Sequence, residues 1–120
     1  MTGLKVPYKG KYYRPSQAKY QLCVLKRESN GHWFSTSRSH GYFGAFQFNK
    51  ALARGATWMI TPELQSLYGA KEGKRIAARL RATEMHKWKP FYQAMAFFTV
   101  LNWNGDWTGK RHWAGGRWTC

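Results

Sequence analysis

The sequence predicts a mainly α fold, α+β at most, with no more than a small β element near residues 41–48. Three observations lead there. Helix-forming stretches with helical periodicity recur from residue 16 onward, and Pro, Gly and Asn stand where helices start and stop. Only 41–48, rich in rings and glycine, reads as a short strand pair or a tight loop. Apolar residues make up 43% and aromatics 18% of the 120 residues, which is enough for one core in one domain.

Residues 1–15 read as a basic, extended N-terminal arm, punctuated by Gly3, Pro7, Gly10 and Pro15, and 16–120 as the folded domain. Ser16 is placed as an N-cap. A helix over 17–28 then carries Tyr20, Cys23, Val24 and Arg27 on or near one face. Asn30 and Gly31 end it. The stretch 29–48 is irregular. A short helix over 49–54 stops at Gly55, and Thr61, Pro62 and Glu63 read as a new start, with a cap, a Pro at the first position and an acid in the first turn. That second helix ends at Gly69. A basic helix follows over 71–87, with Lys71, Lys74, Arg75, Arg79 and Arg81 outward and Ile76, Ala77 and Leu80 inward. Pro90 opens the last helix, to about residue 101, with Ala94, Phe97, Phe98 and Leu101 as its buried stripe. A turn over 102–107 and a tail over 108–120 with Trp and Cys anchors pack as ordered loop.

Charge narrows the partners. Twenty Lys and Arg face five Asp and Glu, a net +15, and such a field attracts polyanions. Nucleic acid, an anionic membrane surface and the bacterial wall all remain open on charge alone. No stretch approaches the ~18–20 apolar residues of a membrane span. The N-terminus lacks the apolar core of a signal peptide. Cys23 and Cys120 permit one disulfide, which would tie the C-terminus to the first helix; two free thiols are the alternative.

With five carboxylates, each is weighed in turn. Glu63 suits the first turn of a helix, where an acid is stabilising. Glu72 has Arg75 three residues on, Glu84 lies in the same helical run, and Asp106 follows Asn-Gly in a turn. Glu28 is different. It ends an apolar helix, where a negative charge opposes the helix dipole, and it stands just before Trp33. A carboxyl half-buried among rings favours its protonated form, which suits a general acid, while Lys26 and Arg27, if close, push the other way. A surface ion pair with Lys26 or Arg27 is the plainer alternative.

The run Arg27-Glu28-Ser29-Asn30-Gly31-His32-Trp33, followed by Gly41-Tyr42-Phe43-Gly44-Ala45-Phe46-Gln47-Phe48, resembles the signature of resuscitation-promoting factors. That family has a Glu, a small-residue turn, a Trp and then a Gly-Tyr-Tyr-Gly-Gly-aliphatic-Gln-Phe segment. The same pairing resembles the wider group of lytic transglycosylases and goose-type lysozymes. Gln93-Ala94, Trp113, Gly116, Trp118 and Cys120 are similar to the family's closing helix and tail. Arg27 stands where the family often has Cys, and 61–88 looks like an insertion.

The resemblance implies a compact lysozyme-like catalytic domain over 16–120. It implies a glycosidase acting on the β-1,4 bond between N-acetylmuramic acid and N-acetylglucosamine in peptidoglycan. Glu28 would be the general acid and base, and a lone Glu fits lytic transglycosylation. Tyr42 and Gln47 would bond sugar hydroxyls or N-acetyl groups. Gly44 would let the backbone approach the glycan, and Trp33 either walls the cleft or packs behind Glu28, with packing favoured. Asp106 is the candidate second acid. No cofactor is implied. His32 and His40 offer too loose a set for a metal. Partners would be glycan strands and anionic wall polymers, met by a monomer with no obligate nucleic acid. The setting would be extracellular or the cell wall, as a growth enzyme, phage lysin or virion component. Two other readings stand beside this one: a basic nucleic-acid-binding protein, and an inactive wall-binding module on the same fold. A membrane-active helix over 71–87 is poorly served by its weak apolar face.

Overall fold

The computed structural model describes residues 6–120. It is mainly helical, with a two-stranded antiparallel sheet: α1 (Ala18–Ser29), β1 (Thr36–Ser37), β2 (Tyr42–Phe43), α2 (Lys50–Tyr68), α3 (Ala70–Arg81) and α4 (Pro90–Asn102). Short 3-10 turns occur at Pro15–Gln17, Arg38–His40, Met85–Lys87 and Lys110–Trp113. Among the described residues, no helix is long and apolar enough to cross a membrane.

The apolar run after Gln93 makes α4 the central element: every residue from Gln93 to Asn102 is buried. Phe97 sits at its middle, with ring centroids 4.4 Å from Phe46 and 4.5 Å from Trp113. Both α2 and α3 pack nearby, α2 against α4 and against α3. The part of the arm that is described lacks regular structure up to Pro15, yet it is not free of the domain. Tyr8 is fully buried and its hydroxyl donates to Glu63 at 2.7 Å. The expectation for residues 1–5 lies outside the described residues.

Three helix boundaries differ from the sequence expectation. Ser16 is not an N-cap: it lies inside the 3-10 turn, and Gln17 stands at the cap position. The Gln17 amide instead pairs reciprocally with Asn102, at 2.9 and 2.7 Å, inside the core. Second, the expected break at Gly55 and restart at Thr61 do not occur, and α2 runs unbroken through both Gly55 and Pro62. Ala56, Ile60 and Leu64 form one fully buried stripe across the supposed break. A glycine inside a helix costs only about 1 kcal/mol, less than that burial contributes. Pro62 faces outward, and the Thr61 hydroxyl donates to the Thr57 carbonyl at 2.7 Å in the turn it disturbs. Glu63 is therefore mid-helix and buried, not in a first turn.

Third, the basic helix stops at Arg81 and does not reach Lys87. The Trp88 indole N–H donates to the carbonyls of Leu80 (3.1 Å) and Thr83 (2.9 Å), capturing the chain as it leaves the helix.

Candidate active site

Glu28 sits in the last turn of α1. The helix is closed by Asn30 in the left-handed region (φ 57°), whose N–H returns to the Lys26 carbonyl at 2.8 Å. This cap turns the chain sharply, so that Trp33 comes back over the core. Glu28 keeps 23% of its side chain exposed, and its Oε2 accepts from Arg27 Nε at 2.9 Å. The plainer alternative, an ion pair with a neighbour, is thus present, though the partner is a buried one. Arg27 has only 2% of its side chain exposed. Its other nitrogens donate to main-chain carbonyls of the tail: Nη2 to Trp113 at 2.6 Å and Nη1 to Trp118 at 3.0 Å. A disulfide joins Cys23, one turn back on α1, to Cys120. The tail is held against the α1 end both covalently and by Arg27.

The loop that follows carries the other expected residues. Trp33 is buried, edge-on to Phe46 with centroids 5.5 Å apart. Tyr42, on β2, is 44% exposed. Gly44 adopts φ +84°, and its N–H donates to the Ser35 carbonyl at 2.7 Å. A Cβ there would sit 2.6 Å from Gln93 Oε1, so the close approach here is to a protein side chain. Gln47 also has positive φ (52°), and its amide donates to the Gly44 carbonyl at 2.8 Å. Both devices fold 44–48 into a tight turn bridged by Phe43 and Phe48.

Two residues without an expected role organise this region. Gln93 is fully buried. Its Oε1 accepts from Ala45 N at 2.8 Å, and its Nε2 donates to the carbonyls of Trp33 and Trp88, both at 2.9 Å. Trp113 donates from its indole to the Phe46 carbonyl at 3.0 Å, while its own carbonyl takes Arg27. Trp113 thereby links the Glu28 end of α1 to the 44–48 turn. In the sequence Gln93 and Trp113 stood out only as part of the resemblance, without a role, and Arg27 only as a neighbour that could pair with Glu28.

The remaining acids have other partners or positions. Glu63 accepts from Tyr8 Oη and from Lys11 N at 2.8 Å. Burial raises the Tyr8 phenol well above its ordinary value, opposed by its bond from Tyr12 N and reinforced by Glu63, so it stays a donor. Glu72 pairs with Arg75. Asp106 is exposed and is bonded by Arg14 Nε at 3.1 Å. Among the described residues, no hydrogen bond or ion pair joins Asp106 to Glu28. Glu84 lines a cavity between α2 and the turn after α3.

A cavity of about 290 Å³ lies along the tail, lined by Tyr20, Arg27, Lys110, Trp113 and Cys120 among others. Among the described residues, the buried Tyr20 hydroxyl finds no hydrogen-bond partner. Burial raises its pKa, with Arg27 acting against the rise and Glu28 with it. Among the described residues, no three His, Cys, Asp or Glu side chains gather to hold a metal ion, and His32 and His40 are exposed. No family model, curated protein or solved structure matches the chain.

Proposed function

We propose that this chain cleaves the β-1,4 bond between N-acetylmuramic acid and N-acetylglucosamine in peptidoglycan, as a lytic transglycosylase or lysozyme-type enzyme with Glu28 as its acid and base. One observation carries the reading. Glu28 is a partly open carboxylate at the end of α1, beside a locked Arg27 and joined through Trp113 to the turn that bears Gly44 and Gln47 and follows Tyr42 on β2.

In this reading the protonated Glu28 gives its proton to the glycosidic oxygen as the bond from that oxygen to the muramyl C1 breaks. The carboxylate left behind then takes the proton of the muramyl 6-hydroxyl, whose oxygen closes on C1. The product is a 1,6-anhydro sugar, and Glu28 ends protonated again. Hydrolysis would instead require a second carboxylate about 5–9.5 Å away, as nucleophile or base. Asp106 is engaged by Arg14 in an exposed turn, which favours the single-acid route. Tyr42 is open to solvent and free to meet sugar, while the Gln47 amide would have to leave the Gly44 carbonyl to do so. The disulfide suits an oxidising setting outside the cytoplasm, at the wall or in a phage lysin or virion. The +15 charge suits anionic wall polymers as partners.

The test is digestion of purified peptidoglycan by the wild type and by Glu28→Gln, with mass spectrometry of the fragments. We expect 1,6-anhydromuropeptides from the wild type and at least a ~100-fold loss in the variant, the scale of a removed acid-base group. Reducing-end products would keep the glycosidase and make Asp106 the next position to change. No fragments from several wall types would end the enzyme reading and leave nucleic-acid or passive wall binding.

A further inference from the structure

A second cavity, of about 320 Å³, lies between α2 and the turn that follows α3. Its floor is apolar, with Phe43, Leu80, Met85 and Trp88. Its rim carries three cations, Lys50, Arg54 and Arg81, against one carboxylate, Glu84. Lys50 and Arg54 follow at helical spacing on α2, and Thr57 and Trp58 continue the same side one turn on. Arg81 reaches across from the last residue of α3. Its guanidinium lies 3.3 Å from the centre of the Trp58 ring, and its Nε donates to Thr57 Oγ1 at 2.9 Å. Arg81 is thus already fixed before anything binds, which lowers the ordering cost of an encounter.

Ion pairs on other cations join Arg14 to Asp106, Arg27 to Glu28 and Arg75 to Glu72, and Glu84 has a partner of its own. None of those three pairs takes Lys50, Arg54 or Arg81. Burial, and then the nearby Arg54, depress the pKa of the Arg81 guanidinium, as expected where two like charges share one rim. A planar guanidinium held beside a second one matches the two oxygens of a carboxylate or phosphate.

We propose that Lys50, Arg54 and Arg81 form a binding site for an oxyanion, a carboxylate or a phosphodiester, carried by a polymer of the bacterial wall. The oxyanion chemistry follows from the cavity; the wall as its source rests on the function proposed above. The apolar floor takes the carbon skeleton that carries the anion. β2, which holds Tyr42, supplies Phe43 to the same cavity, so a polymer seated here runs beside the strand that leads into the 44–48 turn.

The test is co-sedimentation of the full chain with purified sacculi, in the Glu28→Gln background so that nothing is consumed. Arg54→Gln is the informative change, because Arg54 is exposed and its guanidinium makes no hydrogen bond among the described residues. Lys74→Gln, on the exposed side of α3, removes the same charge away from the cavity. We expect Arg54→Gln to weaken binding about tenfold, the loss of one charge-assisted contact, and Lys74→Gln to weaken it less than about twofold. Sacculi stripped of teichoic acid separate the sources. An Arg54 effect that survives stripping assigns the carboxylates of stem peptides, and one that vanishes assigns phosphodiesters. Equal losses in the two variants, or none in either, overturn the site in favour of diffuse charge. Arg54-dependent binding to duplex DNA without binding to sacculi overturns the wall polymer as ligand. A wild type that cleaves nothing, yet sediments in an Arg54-dependent way, leaves this site standing while removing the activity.

Discussion

Arg27 carries a full charge with 2% of its side chain exposed, so each of its contacts replaces water that it has lost. Its three acceptors are the Glu28 carboxylate and two tail carbonyls, those of Trp113 and Trp118. Removing the guanidinium strands all three at once. We expect Arg27→Met to lower the unfolding free energy by about 3 kcal/mol, since breaking a buried, bonded charge typically costs about 3–5 and Glu28 is partly wetted. Arg27→Lys, which keeps charge but cannot reach three acceptors in a plane, should fall between. Urea denaturation orders the three proteins; equal stability would mean the tail is held by other contacts. Glu28 stood out in the sequence because a carboxylate ending a helix is locally unfavourable. Arg27's hold on the tail was not legible, because its two carbonyl acceptors lie 86 and 91 residues further along the chain.

At the scale of elements, local signals described α1 and α4 well and misdivided α2. Gly55 and the Thr61-Pro62 pair are genuine stop and start signals, but the buried stripe of Ala56, Ile60 and Leu64 outweighs them. The small β element was legible from glycines and rings at 41–48, whereas its partner β1, at Thr36–Ser37, has no marked pattern of its own. How tightly α2 and α3 meet could not be read either. Gly73, on α3, is buried where a Cβ would run into the Gln65 backbone. Two effects compete in Gly73→Ala. Helix propensity favours the change by about 1 kcal/mol. Forcing a methyl against backbone costs about 1–3 kcal/mol, because the obstacle cannot rotate away. We expect the second to win and stability to fall by up to about 2 kcal/mol in chemical denaturation. A more stable variant would show that the helices separate easily there.

At the scale of the molecule, a chain of net charge +15 folds against its own repulsion, and the disulfide opposes the expansion that repulsion drives. The bridge spans 97 positions, and closing a loop near 100 residues removes up to about 4.7 kcal/mol of unfolded-state entropy in the chain model. Part of that is commonly offset by structure persisting in the unfolded chain. We therefore expect the Cys23→Ser/Cys120→Ser double variant to lose about 2–4 kcal/mol. The loss should be larger at low salt. Without the bridge, the unfolded chain relieves its repulsion by swelling, and salt screens that gain over a Debye length of about 10 Å at 0.1 M. Equilibrium unfolding of both proteins across a salt series measures it. A constant difference would mean that the bridge acts through loop entropy alone. No difference at any salt would mean that Arg27 and Trp113 hold the tail, and with it the Glu28 end of α1, without covalent help.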